Sequence, residues 1–262
     1  MVLKTSGIFK KGRLKQIRII LIIFILFFLL DCSAQTKTLQ SKSAATYNVQ
    51  RHQKLIPINA NWNKPAWRKT KPLQVDKIMG DTPTYQPSVQ AKLLYDSANV
   101  YVIFLVKEKY LTAKIKEING PVWQDAAVEF FFAPDTLHTE RYFNLEINAA
   151  GVPLMHYNKV AKDSSVDIAM DDIKKITIAH SFTPDSDTEI QQETKWTLEY
   201  KLPLAMLEKY TTITRPGKGI YWRANIYKIA HKSSHPHYLS WSHVPGEVDM
   251  HLPQFFAKLK FQ

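Results

Sequence analysis

The chain has 262 residues, 45% of them hydrophobic, and 35 Lys and Arg against 23 Asp and Glu give it a formal net charge of +12. Its single cysteine, Cys32, excludes an intramolecular disulfide and a zinc site built on several thiolates, so stability must come from an apolar core. The basic residues are scattered, with no run of five, which reads as a solvated surface and argues against nucleic acid as a partner.

In chain order, six Lys or Arg in MVLKTSGIFKKGRLKQIR precede the apolar run IILIIFILFFLL and then the small residues of DCSAQ. That order predicts a signal peptide over residues 1–34, cleaved after Ala34. Leu29-Leu30-Asp31-Cys32 also resembles a bacterial lipoprotein box ending before Cys32, although Asp31 stands where that pattern has Gly, Ala or Ser. Either reading makes the protein exported: periplasmic, secreted or an outer-membrane lipoprotein. Membrane contact would come only through the signal or a lipid anchor. Residues 35–54, QTKTLQSKSAATYNVQRHQK, are polar and read as a flexible tether, which leaves 55–262 as the folded domain.

From there, apolar runs of period two alternate with turn residues. KLLY and NVYVIFLVKE flank a short turn at Asp96-Ser97-Ala98, and the second run, apolar on both faces, predicts a central strand. Further strands are expected at AAVEFFFA, RYFNLEIN, GVPLMHYN, KKITIAH, ETKWTLEYKLP, IYWRANIYKIA, YLSWS and AKLKF. LPLAMLEKY is the one short helix, with Pro203 suited to its first turn. The class is all-β, an antiparallel β-sandwich of jelly-roll type with one short helix.

The stretch GPVWQDAAVEFFFA places Trp123, Asp125 and Glu129 at the mouth of a greasy strand. Matching its apolar face to that of RYFNLEIN pairs Phe132 with Phe143, Phe130 with Leu145 and Val128 with Ile147. Glu129 then falls opposite Glu146, with Cβ atoms about 5 Å apart. Such a pair repels unless a cation or a shared proton offsets it.

IPINANWNKPAW, AKLLYDSANVYVIFLVKE, VWQDAAVEFFFA, YLSWS and HLPQFFAKLKF together resemble the family 9 carbohydrate-binding modules and the looser family-9-like domains of exported bacterial proteins. The resemblance implies a β-sandwich that holds the end of a sugar chain between aromatic side chains, with structural calcium in some members. It implies that Trp123 is an aromatic wall and that Glu129 accepts hydrogen bonds from sugar hydroxyls. Two positions depart: Glu146 stands where the sugar-binding modules carry arginine, and Met250 where they carry a second tryptophan. The candidate ligand-binding residues are therefore Trp123, Glu129, Glu146, Met250 and Asp125, although an aspartate in the place of Asp125 more often caps a turn or holds a structural cation. An indole offers a face for a pyranose ring, and carboxylates take up its hydroxyls. Trp196, Trp222 and Trp241 are expected in the core, and Trp62 and Trp67 against the sandwich end.

The function expected is a non-catalytic module binding a polysaccharide or oligosaccharide near partner glycoside hydrolases or transporters. Three other readings stand beside it. Glu129 and Glu146 could serve a glycosidase, which needs two carboxyls about 5 Å apart. Met155-His156 or Met250-His251 could hold haem, and His231, His235, His237, His243 and His251 could contribute to a zinc or copper site. A sandwich serving only as a protein-interaction surface completes the set.

Overall fold

The computed structural model describes residues 45–183 and 188–262, so the expected signal peptide, the lipoprotein box at Cys32 and the first part of the tether lie outside the described residues. The strands in chain order are β1 (Thr46–Arg51), β2 (Leu73–Gln74), β3 (Lys77–Ile78), β4 (Ser88–Tyr95), β5 (Asn99–Glu108), β6 (Ala126–Ala133) and β7 (Tyr142–Asn148). They continue as β8 (Pro153–Val160), β9 (Ser164–Asp167), β10 (Thr177–His180), β11 (Thr194–Pro203), β12 (Tyr221–Ala230), β13 (His237–Ser240) and β14 (Ala257–Phe261). One sheet runs β10-β11-β5-β4, with β2 on β4; the other runs β14-β12-β6-β7-β8-β9, with β13 on β12 and β3 on β13. The all-β class and the sandwich hold.

Three details of the expectation change. Residues 46–51, read as tether, form β1, which joins the two sheets: Thr46 to Val49 pair with β14, and Gln50 and Arg51 pair with β4. Both pairings are parallel, so the fold is not purely antiparallel. The reason is local: only Tyr47 and Val49 of this polar stretch alternate inward, yet both are buried between the sheets. The predicted helix forms over Leu204–Leu207, and Pro65–Arg68 and Met170–Ile173 add two more four-residue turns of helix.

Period two decides which side chains meet. Val128, Phe130 and Phe132 on β6 and Phe143, Leu145 and Ile147 on β7 point inward in the anticipated register, onto Val102, Phe104, Leu198 and Tyr200 of the facing sheet. Trp196 and Trp222 are fully buried in this core, and Trp241 nearly so. Each such side chain removed from water contributes roughly 1.5–3 kcal/mol. The core also holds charge. Lys228 of β12 reaches Glu108 of β5 at 2.9 Å, and Trp196 Nε1 donates to the same carboxylate at 2.7 Å.

Segment 52–70 covers the outer face of the β11 sheet. Glu199 accepts hydrogen bonds there from Trp67 Nε1 at 2.8 Å and from the backbone N–H of Asn59 and Ala60 at 2.9 and 2.8 Å, and pairs with Lys64. Trp62 lies beneath the Lys92 ammonium, 4.1 Å from the ring centre. Both tryptophans therefore pack against the sandwich, as the entry segment implied.

Candidate functional site

The opposite face of the β6 sheet, turned away from the core, carries the residues that alternate with the core positions. Glu129 and Phe131 of β6, Asn144 and Glu146 of β7, Leu154, His156 and Asn158 of β8 and Ile229 of β12 form the floor of a cleft of about 560 Å³. This is within the size range of small-molecule sites. Its walls come from loops: Trp123 precedes β6, His231 follows β12, Tyr238 sits on β13, and Met250 and His251 descend from the segment before β14.

Trp123 is 37% exposed, so its indole is available at the rim and is not a lid on the core. It belongs to a turn of 3₁₀ helix, Val122–Gln124, anchored by the residue that follows it. Asp125 is buried and accepts hydrogen bonds from the backbone N–H of Lys114 and Ile115 at 3.0 and 2.9 Å and from Asn148 Nδ2 at 3.0 Å. Its carboxylate is used up inside the fold and does not line the cleft. Asp125 therefore sits behind Trp123, facing the backbone of Lys114 and Ile115 and not the cleft that was expected to take the ligand. The indole meets His231 edge-on at 5.2 Å, and His231 Nδ1 lies 2.5 Å from Tyr238 Oη, so the wall is continuous.

On the floor, Glu129 and Glu146 stand directly opposite each other. They are 2% and 5% exposed. Asn158 Nδ2 donates to Asn144 Oδ1 at 2.7 Å and Asn144 Nδ2 donates to Glu146 Oε1 at 2.9 Å, which fixes one carboxylate oxygen. Among the described residues Glu146 Oε2 has no hydrogen-bond partner. Burial, together with the charge of Glu146, pushes the Glu129 carboxyl well above the ordinary range, against the pull of Lys228. Burial raises Glu146 to about 7. Lys228 cannot neutralise the pair fully, because it points to the interior and is engaged by Glu108. Burial also lowers His156 and His251, which favours their neutral forms on the floor and wall.

Met250 lines the cleft, its carbonyl held by Tyr227 Oη at 3.0 Å, and His251 Nδ1 lies 2.7 Å from Tyr142 Oη. Trp123, Glu129, Glu146 and Met250 thus share one cleft. Asn144, Asn158 and Tyr238 were not among the candidates, and His156 and His231 were named only for haem or a metal, not for sugar contact. The first was legible, since it shares the polar face of β7 with Glu146; the rest needed the pairing of β8 and the course of the loops.

The haem pairings fare unequally. Met155 is buried in the core and His156 faces the cleft, so adjacent positions on β8 put them on opposite sides of the sheet. The five C-terminal histidines disperse: His235 stacks on Tyr110, His237 joins Glu108 and Lys228 in the interior, His243 is exposed, and His231 and His251 occupy the cleft. Among the described residues no three His, Cys, Asp or Glu side chains come together as ligands.

The two-sheet sandwich carries an aromatic rim over a polar floor, the arrangement of a small-molecule binding module. The family model for carbohydrate-binding family 9 matches residues 66–261. Among solved structures, a protein from Bacteroides uniformis to which carbohydrate binding has been ascribed is 25% identical, with a TM-score of 0.75, over 84% of this chain and 100% of that one. A family 9 module from Caldicellulosiruptor kristjanssonii shares the fold. In complex with glucose it is 14% identical with a TM-score of 0.57, over 83% of this chain and 96% of that one. In complex with cellotriose it is 15% identical with a TM-score of 0.55, over 83% and 94%. No curated protein matches the chain. The chain belongs to carbohydrate-binding family 9, and it is a carbohydrate-binding module.

Proposed function

We propose that the cleft receives the end of an oligosaccharide, with one sugar ring stacked on Trp123 and its hydroxyls directed to Glu129, Glu146 and the Asn144–Asn158 pair. The observation that carries this is a half-exposed indole at the rim of a cleft whose floor bears buried, under-satisfied polar groups. Stacking uses the apolar C–H face of the sugar, and the polar floor takes the hydroxyls that stacking leaves free. Met250 supplies a softer, polarizable opposite wall. The glucose and cellotriose bound by the Caldicellulosiruptor module support a saccharide of that size.

The role is binding without catalysis. The matched family is described by carbohydrate binding, which supports this reading. Exported by its N-terminal segment, the module would hold glycan near a hydrolase or transporter. Glycan-array binding by the purified protein and by Trp123→Ala tests the reading: binding by the first and loss in the second is expected. Release of reducing sugar that disappears in Glu129→Gln would establish the glycosidase instead.

A further inference from the structure

Accepting the cleft as the carbohydrate site, its floor specifies more than a neutral sugar. Two carboxylates face each other there, each more than nine-tenths buried, and Glu146 Oε2 and the whole of Glu129 lack hydrogen-bond partners among the described residues. The charged groups around them offset the pair only in part, through the pull of Lys228 on Glu129. Lys228 approaches from the core side and is paired with Glu108; Lys162 at the rim is paired with Asp249; Asp163, also at the rim, adds negative charge. His156 lies 3.4 Å from Asp167 and is pushed toward its neutral form by burial, as is His251.

We infer that the cleft selects a saccharide bearing a free amine, an amino sugar whose ammonium sits between Glu129 and Glu146. A hydroxyl brings one hydrogen to such a site and no charge. An ammonium brings three N–H donors and a full positive charge; it meets the free oxygens of Glu129 and Glu146 and favours their charged forms, releasing to solvent the protons that burial otherwise retains. Burial makes the pairing selective, because a desolvated carboxylate left without a counter-charge is costly. Trp123 serves the same ligand, since an indole face attracts a cationic sugar as well as the C–H groups of its ring. Acylation of the nitrogen would remove the charge and add bulk between two buried side chains.

The test is calorimetric titration of the purified protein at pH 7 in the presence of a chelator. The probes are a trisaccharide of β-1,4-linked glucosamine, its fully N-acetylated counterpart and cellotriose. Binding of the glucosamine trimer at least tenfold tighter than either other trimer is expected, with that preference reduced severalfold in Glu146→Gln and weakened by added salt. Equal or tighter binding of cellotriose or of the acetylated trimer overturns the amine inference and leaves the carbohydrate cleft standing. Failure of all three to bind overturns both. Binding that appears only when calcium replaces the chelator assigns the carboxylates to a metal ion and likewise overturns it. The comparison among probes uses the wild type, so a poorly folded variant would not blunt it.

Discussion

Glu129 and Glu146 face each other across β6 and β7, and among the described residues only Oε1 of Glu146 accepts a hydrogen bond, from Asn144 at 2.9 Å. Burial holds both carboxyls protonated to higher pH than the ordinary 4.5, and the charge of Glu146 adds to the effect on Glu129. Between the unfolded and folded pKa values the folded chain then binds more protons than the unfolded one, so stability falls as pH rises. The contribution is full below about pH 4.5 and is lost as pH passes through about 7, the value reached by Glu146. Relative to Glu146→Gln, the wild type should lose on the order of 3 kcal/mol over that window. Urea unfolding of both proteins at intervals from pH 4.5 to 8 measures it, and a difference that does not change with pH would refute the assignment.

Trp123 lies at the rim and is 37% exposed, so its removal should spare the fold. Trp123→Ala is expected to shift the melting temperature by no more than a few degrees while weakening glycan binding at least tenfold, a loss of about 1.4 kcal/mol or more. Asp125→Ala should weaken binding as well, and in addition destabilise, because three donors lose their acceptor. Melting curves set beside titrations separate the two effects.

The ion pair between Lys228 and Glu108 is wholly buried. Lys228→Met should cost about 3–5 kcal/mol by stranding a carboxylate in the core. Adding Glu108→Gln should restore much of that loss, because the glutamine keeps an acceptor for Trp196 Nε1 and carries no charge. Denaturant midpoints for the two single variants and the double variant provide the check; equal destabilisation in the Lys228→Met single and the double would show that packing, not charge, dominates.

β1 bridges the sheets through parallel pairing to β14 and β4. A chain beginning at Leu55 should therefore unfold at a temperature at least 5–10 °C lower than one beginning at Gln35, with Val49 and Tyr47 gone from the core. Equal melting temperatures for the two would mean that the strand is dispensable.

The β6–β7 register shows why so much of the site was legible. Phe130, Phe132, Phe143 and Leu145 leave only matched apolar faces as a stable pairing, and that pairing alone places Glu129 against Glu146. β1 was missed for the converse reason. Its hydrophobic signal is two residues long, Tyr47 and Val49, and it is stabilised by partners far along the chain, Leu259 and Phe261, that no local pattern reveals. Asp125 shows a third case: a carboxylate two residues from an exposed tryptophan carries the same sequence signal whether it faces a ligand or the backbone of Lys114 and Ile115.

By itself, the sequence determined the all-β class, the inward faces of the main strands, the cross-strand acidic pair and the rim tryptophan. The first three follow from side-chain periodicity, which is local, and the role of Trp123 was implied by the family resemblance. Only the tertiary structure decided that loops from residues 122–124, 231 and 248–251 converge over that pair, that Asp125 turns inward, that the histidines disperse, and that Lys228 is committed to Glu108. Those outcomes depend on contacts between residues far apart in sequence, where the cost of burying a charge selects its partner and no short-range pattern records the choice.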